Sequence, residues 1–188
     1  LAQDKIQVQH KLGEGMVTEA DHAADDVLQK RLMPLVEGAH WLSEESTQNV
    51  PLVPGEPTWV VDPLDGTHEL LSGIPEFAVS VGFFVDDRLI LGAVALPIQR
   101  QVFSGLLSTT RREARCNKEP LSELTDEATG GRVVVSRFDY EHQIYRLIPY
   151  DVYQAGSSAV KLAHVASGEA NVYLSTGPRS VWDVAGGA

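Results

Sequence analysis

The sequence predicts an α+β fold in which sheets and helices form layers. Strand-like runs dominate the first half, with a short apolar run at 59–61 and longer β-rich runs at 77–85 and 88–96. The two longer runs meet at Asp86-Asp87, which is typical of a hairpin. Beyond residue 130, short strand patterns alternate with helical ones. Strands first and mixed elements later indicate layered sheets and helices.

The first helix is predicted to begin after Thr18 and to end at Pro34, because proline cannot continue a helix. Apolar residues at helical spacing should form its inner face. These residues are Ala20, Ala23, Ala24, Val27, Leu28 and Leu32.

The later elements are a helix over 157–167, a strand over 171–174 and a last helix from Trp182. Strands are also expected at 101–104 and 132–136.

Residues 109–131 are charged and lack a clear period, so we expect a sub-domain boundary there. This gives a metal-binding α+β sub-domain over 1–110 and a truncated C-terminal α/β sub-domain over 130–188. The chain starts at Leu1 and stops within a helical pattern, so we expect it to be incomplete at both ends.

Composition excludes several classes of protein. The 188 residues are 43% hydrophobic and 22% charged, which is typical of globular chains and excludes disorder. The net charge of −11 argues against a nucleic-acid polymer or an anionic membrane as partner. Cys116 is the single cysteine, so no internal disulfide can form and a reducing, cytoplasmic location is expected.

The segment Asp62-Pro63-Leu64-Asp65-Gly66-Thr67 carries the strongest chemical signal. An apolar strand delivers the first aspartate to its carboxyl end, and the proline stiffens the following turn. Both carboxylates and the Leu64 carbonyl could converge, and oxygen-only ligands suit Mg²⁺ rather than Zn²⁺. Thr67 is expected to cap a short helix. The alternative is a purely structural turn between strand and helix.

Three further acidic residues could complete the cluster. Glu44 follows a predicted strand, Asp183 follows Trp182, and Asp21 lies three residues after Thr18. Each also has a structural interpretation: a solvated loop, a carboxylate in a helix's first turn, and a capping partner, respectively.

Four motifs in this order resemble the inositol monophosphatase superfamily of Mg²⁺-dependent, lithium-sensitive phosphatases. They are Val17-Thr18-Glu19-Ala20-Asp21, Ser43-Glu44-Glu45-Ser46, Asp62-Pro63-Leu64-Asp65-Gly66-Thr67 and Trp182-Asp183-Val184-Ala185-Gly186. The resemblance covers nearly the whole chain. It implies an α/β/α/β/α sandwich of the sugar-phosphatase type.

The resemblance also implies a role for each matching residue. Two or three Mg²⁺ ions would be held by the side chains or carbonyl of Glu44, Asp62, Leu64, Asp65 and Asp183. The catalytic residues would be Thr67, Asp21 and Glu44, with Thr67 and an acidic neighbour orienting the attacking water. The backbone N–H groups of Gly66 and Thr67 would cradle the phosphate.

Local features resemble the 3′(2′),5′-bisphosphate nucleotidase branch most closely. Residues 65–70 look like that branch's DGTKEF, although His68 stands where the branch usually has Lys. Residues 75–77 look like its G/P-E-F segment. Lys161 stands where many inositol phosphatases have Asp or Asn, and it could contact a second phosphate. The alternative is a solvent-facing helical lysine.

The start of the second long helix is a further candidate for substrate binding. Gly156, Ser157 and Ser158 could present donors to a sugar or phosphate. The alternative is ordinary N-capping by Ser157. Arg111, Arg112 and Arg115 form a basic patch, either on a solvated hairpin or as an anion-steering surface.

The predicted function is Mg²⁺-dependent hydrolysis of a small-molecule phosphate ester by a metal-activated water. The first substrate candidate is the 3′-phosphate of adenosine 3′,5′-bisphosphate. Inositol 1-phosphate, or a sugar phosphate of the fructose bisphosphate kind, is the second. An alternative of another class is a non-catalytic scaffold, which the intact ligand set argues against. Family members often dimerise, so the resemblance implies a homodimer as the alternative to a monomer.

Overall fold

A computed structural model describes residues 8–11, 15–46, 52–122 and 131–188. The described residues form twelve strands and five α-helices. The strands are β1 (Val8–Lys11), β2 (Gly15–Thr18), β3 (His40–Ser43), β4 (Thr58–Asp65), β5 (Ala78–Val85), β6 (Arg88–Leu96), β7 (Gln101–Leu107), β8 (Arg112–Cys116), β9 (Glu119–Pro120), β10 (Arg132–Val135), β11 (Asp151–Gln154) and β12 (Val172–Tyr173). The helices are α1 (Glu19–Leu32), α2 (Thr67–Leu71), α3 (Arg137–Glu141), α4 (Ser158–Ala166) and α5 (Val181–Ala185).

The central element is a seven-stranded sheet whose strands follow chain order from β3 to β9. Only β3 and β4 are parallel within it, and the other neighbours are antiparallel. The predicted hairpin between β5 and β6 is confirmed. Its turn residues Asp86 and Asp87 have φ values of 52° and 59°, the left-handed conformation that aspartate tolerates better than most residues.

Helices cover both faces of this sheet. Neighbouring β4 residues point to opposite sides: Val61 packs in a cluster that includes Leu28 and Leu32 of α1, and Val60 packs with Ala185 of α5. Helix α4 lies on the same side as α5, and its Val160 joins a cluster formed with β5, β6 and β7.

A second sheet packs on the far side of α4. It has the order β11-β10-β12, and both pairs of strands are parallel. Val134, Ala155 and Ala170 form its core, against which Val165 of α4 packs. The resulting sequence of layers is helix, sheet, helix, sheet, with α3 in contact with β11. The predicted layered α+β fold is confirmed.

The predicted start of α1 is also confirmed, because Thr18 caps it in a capping box with Asp21. The predicted apolar face is partly wrong, since Val27 is 56% exposed. The inner face instead runs through Asp21 and Asp25 to Leu28 and Leu32. Both aspartates make hydrogen bonds on the inner side of the helix, and this orientation of α1 leaves Val27 facing solvent.

The region around 109–131 departs from the prediction. Residues 112–116 and 119–120 form a hairpin, so the prediction of irregular structure is wrong for them. Residues 123–130 lie outside the described part of the chain. Arg111 and Arg115 both pair with Glu113 on this hairpin. The division into two sub-domains stays a prediction.

The longest helix in the described ranges has 14 residues. None of the helices described combines the length and the apolar character needed to cross a membrane.

Candidate metal centre

Asp62 lies within β4, at the point where the pairing of the strand with β5 becomes irregular. We expected the strand to stop at Asp62, but it continues to Asp65, and the pairing with β5 shifts register between these two residues. The side chain is almost fully buried at 1% exposure and accepts a 3.0 Å hydrogen bond from the Leu64 N–H. The irregular strand end therefore places a carboxylate inside the protein.

Three other carboxylates act on Asp62. Burial and the negative charges of Asp65, Glu44 and Asp183 together raise its pKa to about 10, partly offset by the Leu64 N–H. Burial makes the largest contribution to this rise in pKa, and Asp65 contributes the most of the three neighbours. Four acidic residues from distant parts of the sequence are therefore brought into one electrostatic cluster.

Asp65 is held from the second half of the chain. Its Oδ2 accepts hydrogen bonds from the Ser157 hydroxyl at 2.8 Å and the Ala159 N–H at 2.6 Å, both at the start of α4. Burial raises the pKa of Asp65 to about 6, although these two donors oppose the shift.

The other two acids of the cluster, Glu44 and Asp183, lie at the end of β3 and at the start of α5. Glu44 directly follows β3, where its N–H donates to the Val61 carbonyl at 3.1 Å. Asp183 is in the first turn of α5, and its carboxylate accepts a 3.0 Å hydrogen bond from the Ser180 N–H, as a capping partner would. Burial raises the pKa of Asp183.

Helix α5 is fixed to the sheet beside Asp183. The Ser80 hydroxyl donates to the Trp182 carbonyl at 2.8 Å and accepts from the Gly186 N–H at 3.1 Å. A Cβ atom at Gly82 would overlap Ala185, and one at Gly186 would overlap the β6 backbone at Ala93. The absence of side chains at these glycines lets the helix contact the strands directly.

Asp21 and Thr67 form a second part of the site. Asp21 is 2% exposed, and its Oδ2 accepts from the Thr18 N–H at 2.8 Å. Its Oδ1 accepts from the Thr67 hydroxyl at 3.0 Å, and the Leu64 carbonyl lies 3.2 Å from the same hydroxyl. The prediction that Thr67 caps α2 is wrong. Gly66 is the capping residue, with φ at 103°, and the Thr67 side chain turns to Asp21 instead.

As these side chains stand, the described ranges contain no group of three or more His, Cys, Asp or Glu residues arranged to hold a metal ion. The carboxylates of Asp62, Asp65 and Asp183 instead accept hydrogen bonds from protein donors. The donor chemistry nevertheless suits a hard cation, because the cluster is buried, contains only oxygen ligands and repels itself.

The predicted substrate-binding residues are engaged with protein groups. The Gly156 N–H donates to Glu76 at 2.6 Å, and Ser157 caps α4 by accepting from the Val160 N–H at 3.0 Å. The Ser158 and Tyr173 hydroxyls lie 3.2 Å apart. N-capping by Ser157 is therefore confirmed, and binding of a sugar or phosphate by these residues stays a prediction.

The structure contradicts one of the two interpretations of Lys161, and its contact with a second phosphate stays a prediction. Lys161 is 2% exposed, so the solvent-facing alternative is wrong. Its ammonium donates to three backbone carbonyls in place of a solvent contact. Burial lowers the pKa of Lys161.

The contacts of two residues near the site, Asp25 and Arg137, were not predicted from the sequence. Asp25 accepts hydrogen bonds from the Ser43 hydroxyl at 2.6 Å and the Trp41 indole at 3.2 Å. Its spacing of four residues from Asp21 places both on one helix face and could have indicated this role. Arg137 of α3 pairs with Glu69 of α2 and with Glu76 before β5, and no local pattern indicates that contact.

Known proteins are similar to nearly the whole chain. The chain is 30% identical to inositol monophosphatase 3 of Solanum lycopersicum over 96% of its length and 72% of that protein. It is 31% identical to the 3′(2′),5′-bisphosphate nucleotidase CysQ of Shigella flexneri, over 97% of the chain and 75% of that protein.

The fold is also that of a solved structure, the extragenic suppressor protein SuhB from Bartonella henselae. The TM-score is 0.83 at 23% identity, covering 99% of this chain and 74% of the other. The model of the inositol monophosphatase family matches residues 1–188. The buried carboxylate cluster, the fold and these matches together establish that the chain is a phosphatase of the inositol monophosphatase family.

Proposed function

We propose that this protein hydrolyses a small phosphate monoester with the help of Mg²⁺ bound at Glu44, Asp62, Asp65, Asp183 and the Leu64 carbonyl. The family is Mg²⁺-dependent. The observation that carries the proposal is Asp62, a buried acid whose pKa is raised by burial and by three acidic neighbours. Such a cluster is stable in its ionised form only when cations balance it. We further propose that two or three ions bind.

Bound ions would lower the pKa of the attacking water and stabilise the leaving oxygen. The residues of the chain would position the attacking water and the phosphate, and would accept hydrogen bonds from that water. The Thr67 proton has two acceptors within the protein, Asp21 Oδ1 and the Leu64 carbonyl, so the oxygen of Thr67 is available to accept a hydrogen bond from the attacking water. Glu44 is half-buried beside the cluster and is proposed to assist in activating that water. Gly66 and Thr67 N–H groups are proposed to hold the phosphate.

The first substrate that we propose is adenosine 3′,5′-bisphosphate, and the second is inositol 1-phosphate. Support for the first comes from residues 65–70 and 75–77, which are similar to the nucleotidase branch, and from the identity with the Shigella flexneri nucleotidase. Support for the second comes from the comparable identity with the Solanum lycopersicum protein. The single cysteine supports a reducing, cytoplasmic setting for either reaction.

Phosphate release from both substrates, with Mg²⁺ and with EDTA, tests the proposal. We expect release only with Mg²⁺, a higher kcat/KM for adenosine 3′,5′-bisphosphate, and inhibition by LiCl. A higher kcat/KM for inositol 1-phosphate would select the second substrate. Release that persists in EDTA would exclude the metal-assisted reaction.

A further inference from the structure

The ammonium group of Lys161 is fully occupied by the protein backbone. Its Nζ donates to the carbonyls of Ala155 at 3.3 Å, Gly156 at 3.2 Å and Ser157 at 2.6 Å. An ammonium has three protons, and the three carbonyls accept all of them. In this arrangement no proton of Lys161 remains for a phosphate oxygen, so a direct contact with substrate has no support in the geometry.

The three carbonyls belong to a turn with an unusual backbone conformation. Ser157 has φ at 51° and ψ at 133°, a combination that a residue with a side chain rarely adopts. Such a conformation persists only where surrounding contacts hold it. The 2.6 Å bond from Lys161 to the Ser157 carbonyl is the shortest of the three and acts at this residue.

The same turn determines where Asp65 lies. The Ser157 hydroxyl and the Ala159 N–H both donate to Oδ2 of Asp65, at 2.8 Å and 2.6 Å. Neither donor uses Oδ1. The carboxylate is therefore oriented by one end of α4, and that end is held in its conformation by the lysine four residues after Ser157.

We propose that Lys161 is a positioning residue: it holds the turn 155–157 so that Ser157 and Ala159 orient the Asp65 carboxylate for cation binding. This inference rests on the proposed function, in which Asp65 is a metal ligand. It predicts that Lys161 controls metal affinity and leaves binding of the second phosphate unaffected.

Direct measurement of Mn²⁺ binding by calorimetry and by electron paramagnetic resonance tests the inference without relying on turnover. Lys161→Met keeps an unbranched side chain of similar shape and removes the ammonium donors. We expect its Kd for Mn²⁺ to rise about 10- to 100-fold, as when the support of a metal ligand is lost. Lys30→Met is the control, because Lys30 is an exposed helical lysine, and its Kd should equal that of the wild type.

A double-mutant cycle with Ser157→Ala tests the route of the effect. If Lys161 acts through Ser157, the increase in Kd caused by K161M becomes smaller when S157A is already present. Strictly additive effects of the two changes would overturn this route. If K161M lacks the circular dichroism spectrum of the wild type, Lys161→Gln, which retains an N–H donor group, is measured in its place.

Kinetics at saturating Mg²⁺ separate positioning from substrate contact. We expect K161M to leave the KM for adenosine 3′,5′-bisphosphate and for inositol 1-phosphate within twofold of the wild type. An unchanged Kd for Mn²⁺, or a KM that rises for the bisphosphate alone, would overturn the inference. A wild-type protein that neither binds Mn²⁺ nor releases phosphate would instead overturn the proposed function on which it rests.

Discussion

The Thr67 hydroxyl donates a 3.0 Å hydrogen bond to Oδ1 of Asp21, a residue 46 positions earlier in the chain. The other oxygen of Asp21 accepts from the Thr18 N–H, so one carboxylate both caps α1 and orients Thr67. Helix α1 and the turn after β4 are thereby joined at the site. Both acceptors of the threonine proton, Asp21 Oδ1 and the Leu64 carbonyl, belong to the protein, which leaves the threonine oxygen as an acceptor.

Thr67→Val, which preserves shape and removes the hydroxyl, should lower kcat at saturating Mg²⁺ by about 10²- to 10⁴-fold, the range for loss of a group that assists proton transfer. The KM should change much less, because the phosphate is proposed to bind through backbone N–H groups. Thr67→Ser retains the hydroxyl and should keep most of the activity. Steady-state phosphate release measures all three proteins, and equal kcat values for T67V and the wild type would remove Thr67 from the reaction.

Asp62→Asn should abolish Mg²⁺-dependent phosphate release while making the metal-free protein more stable. The amide oxygen can still accept the Leu64 N–H, and asparagine avoids the free-energy cost of folding a carboxyl group that must take up a proton or be buried as a charge. We expect a melting temperature in EDTA that is higher by several degrees, since each kcal/mol is worth about 2–4 °C for a chain of this size. Calorimetric melting in EDTA and in MgCl₂ measures both effects. A D62N protein that still gains stability from Mg²⁺ would argue against Asp62 as a ligand.

The metal-free protein should lose stability as the pH rises. Folding raises the pKa of Asp62 from 3.8 to about 10 and that of Asp65 from 3.8 to about 6. A raised pKa favours the protonated, folded form, so this contribution is complete below pH 3.8 and declines as the pH rises through 6 and towards 10. Melting in EDTA at about pH 6 and about pH 9 should show the decline, and Mg²⁺ should reduce it because it binds the ionised form. A D62N protein with the same pH dependence as the wild type would contradict this assignment.

Gly186→Ala should destabilise the protein by about 1–3 kcal/mol, the usual effect of adding a methyl group to a filled core. The added Cβ would overlap the Ala93 carbonyl and the Ser80 hydroxyl. Gly105→Ala is a matched control in β7, because its Cβ would meet the nearest atom, the Glu113 carbonyl oxygen, at an ordinary 3.7 Å. Urea unfolding of both variants measures the difference, and equal losses would show that the contact between α5 and the sheet tolerates a side chain.

The parts of the site predicted correctly from the sequence are those whose signals are local. Thr18 and Asp21 lie three residues apart, so their capping box follows from one turn of helix. Asp62 and Asp65 lie three residues apart, so their proximity could be predicted from one segment, and their binding of a cation stays a prediction.

The parts that could not be predicted depend on which face of an element is turned inward. Val27 fits an apolar helical period, yet hydrogen bonds of Asp25 to β3 rotate that position to solvent. Lys161 appears in the sequence as a charged residue on a helix, yet the carbonyls of the preceding turn draw it into the interior. The exposure of Val27 and the burial of Lys161 depend on distant partners or on backbone geometry. The spacing of residues in the sequence carries no information on either.

The direct contact of α5 with β5 and β6 has a consequence for how this protein can vary. At Gly82 and Gly186 no side chain separates α5 from the strands, so a shift of either element there cannot be absorbed by repacking of side chains. The position of Asp183 therefore depends on the curvature of the strands that α5 contacts. A substitution that flattens or twists those strands, even far from the carboxylates, would move this acid by a similar amount.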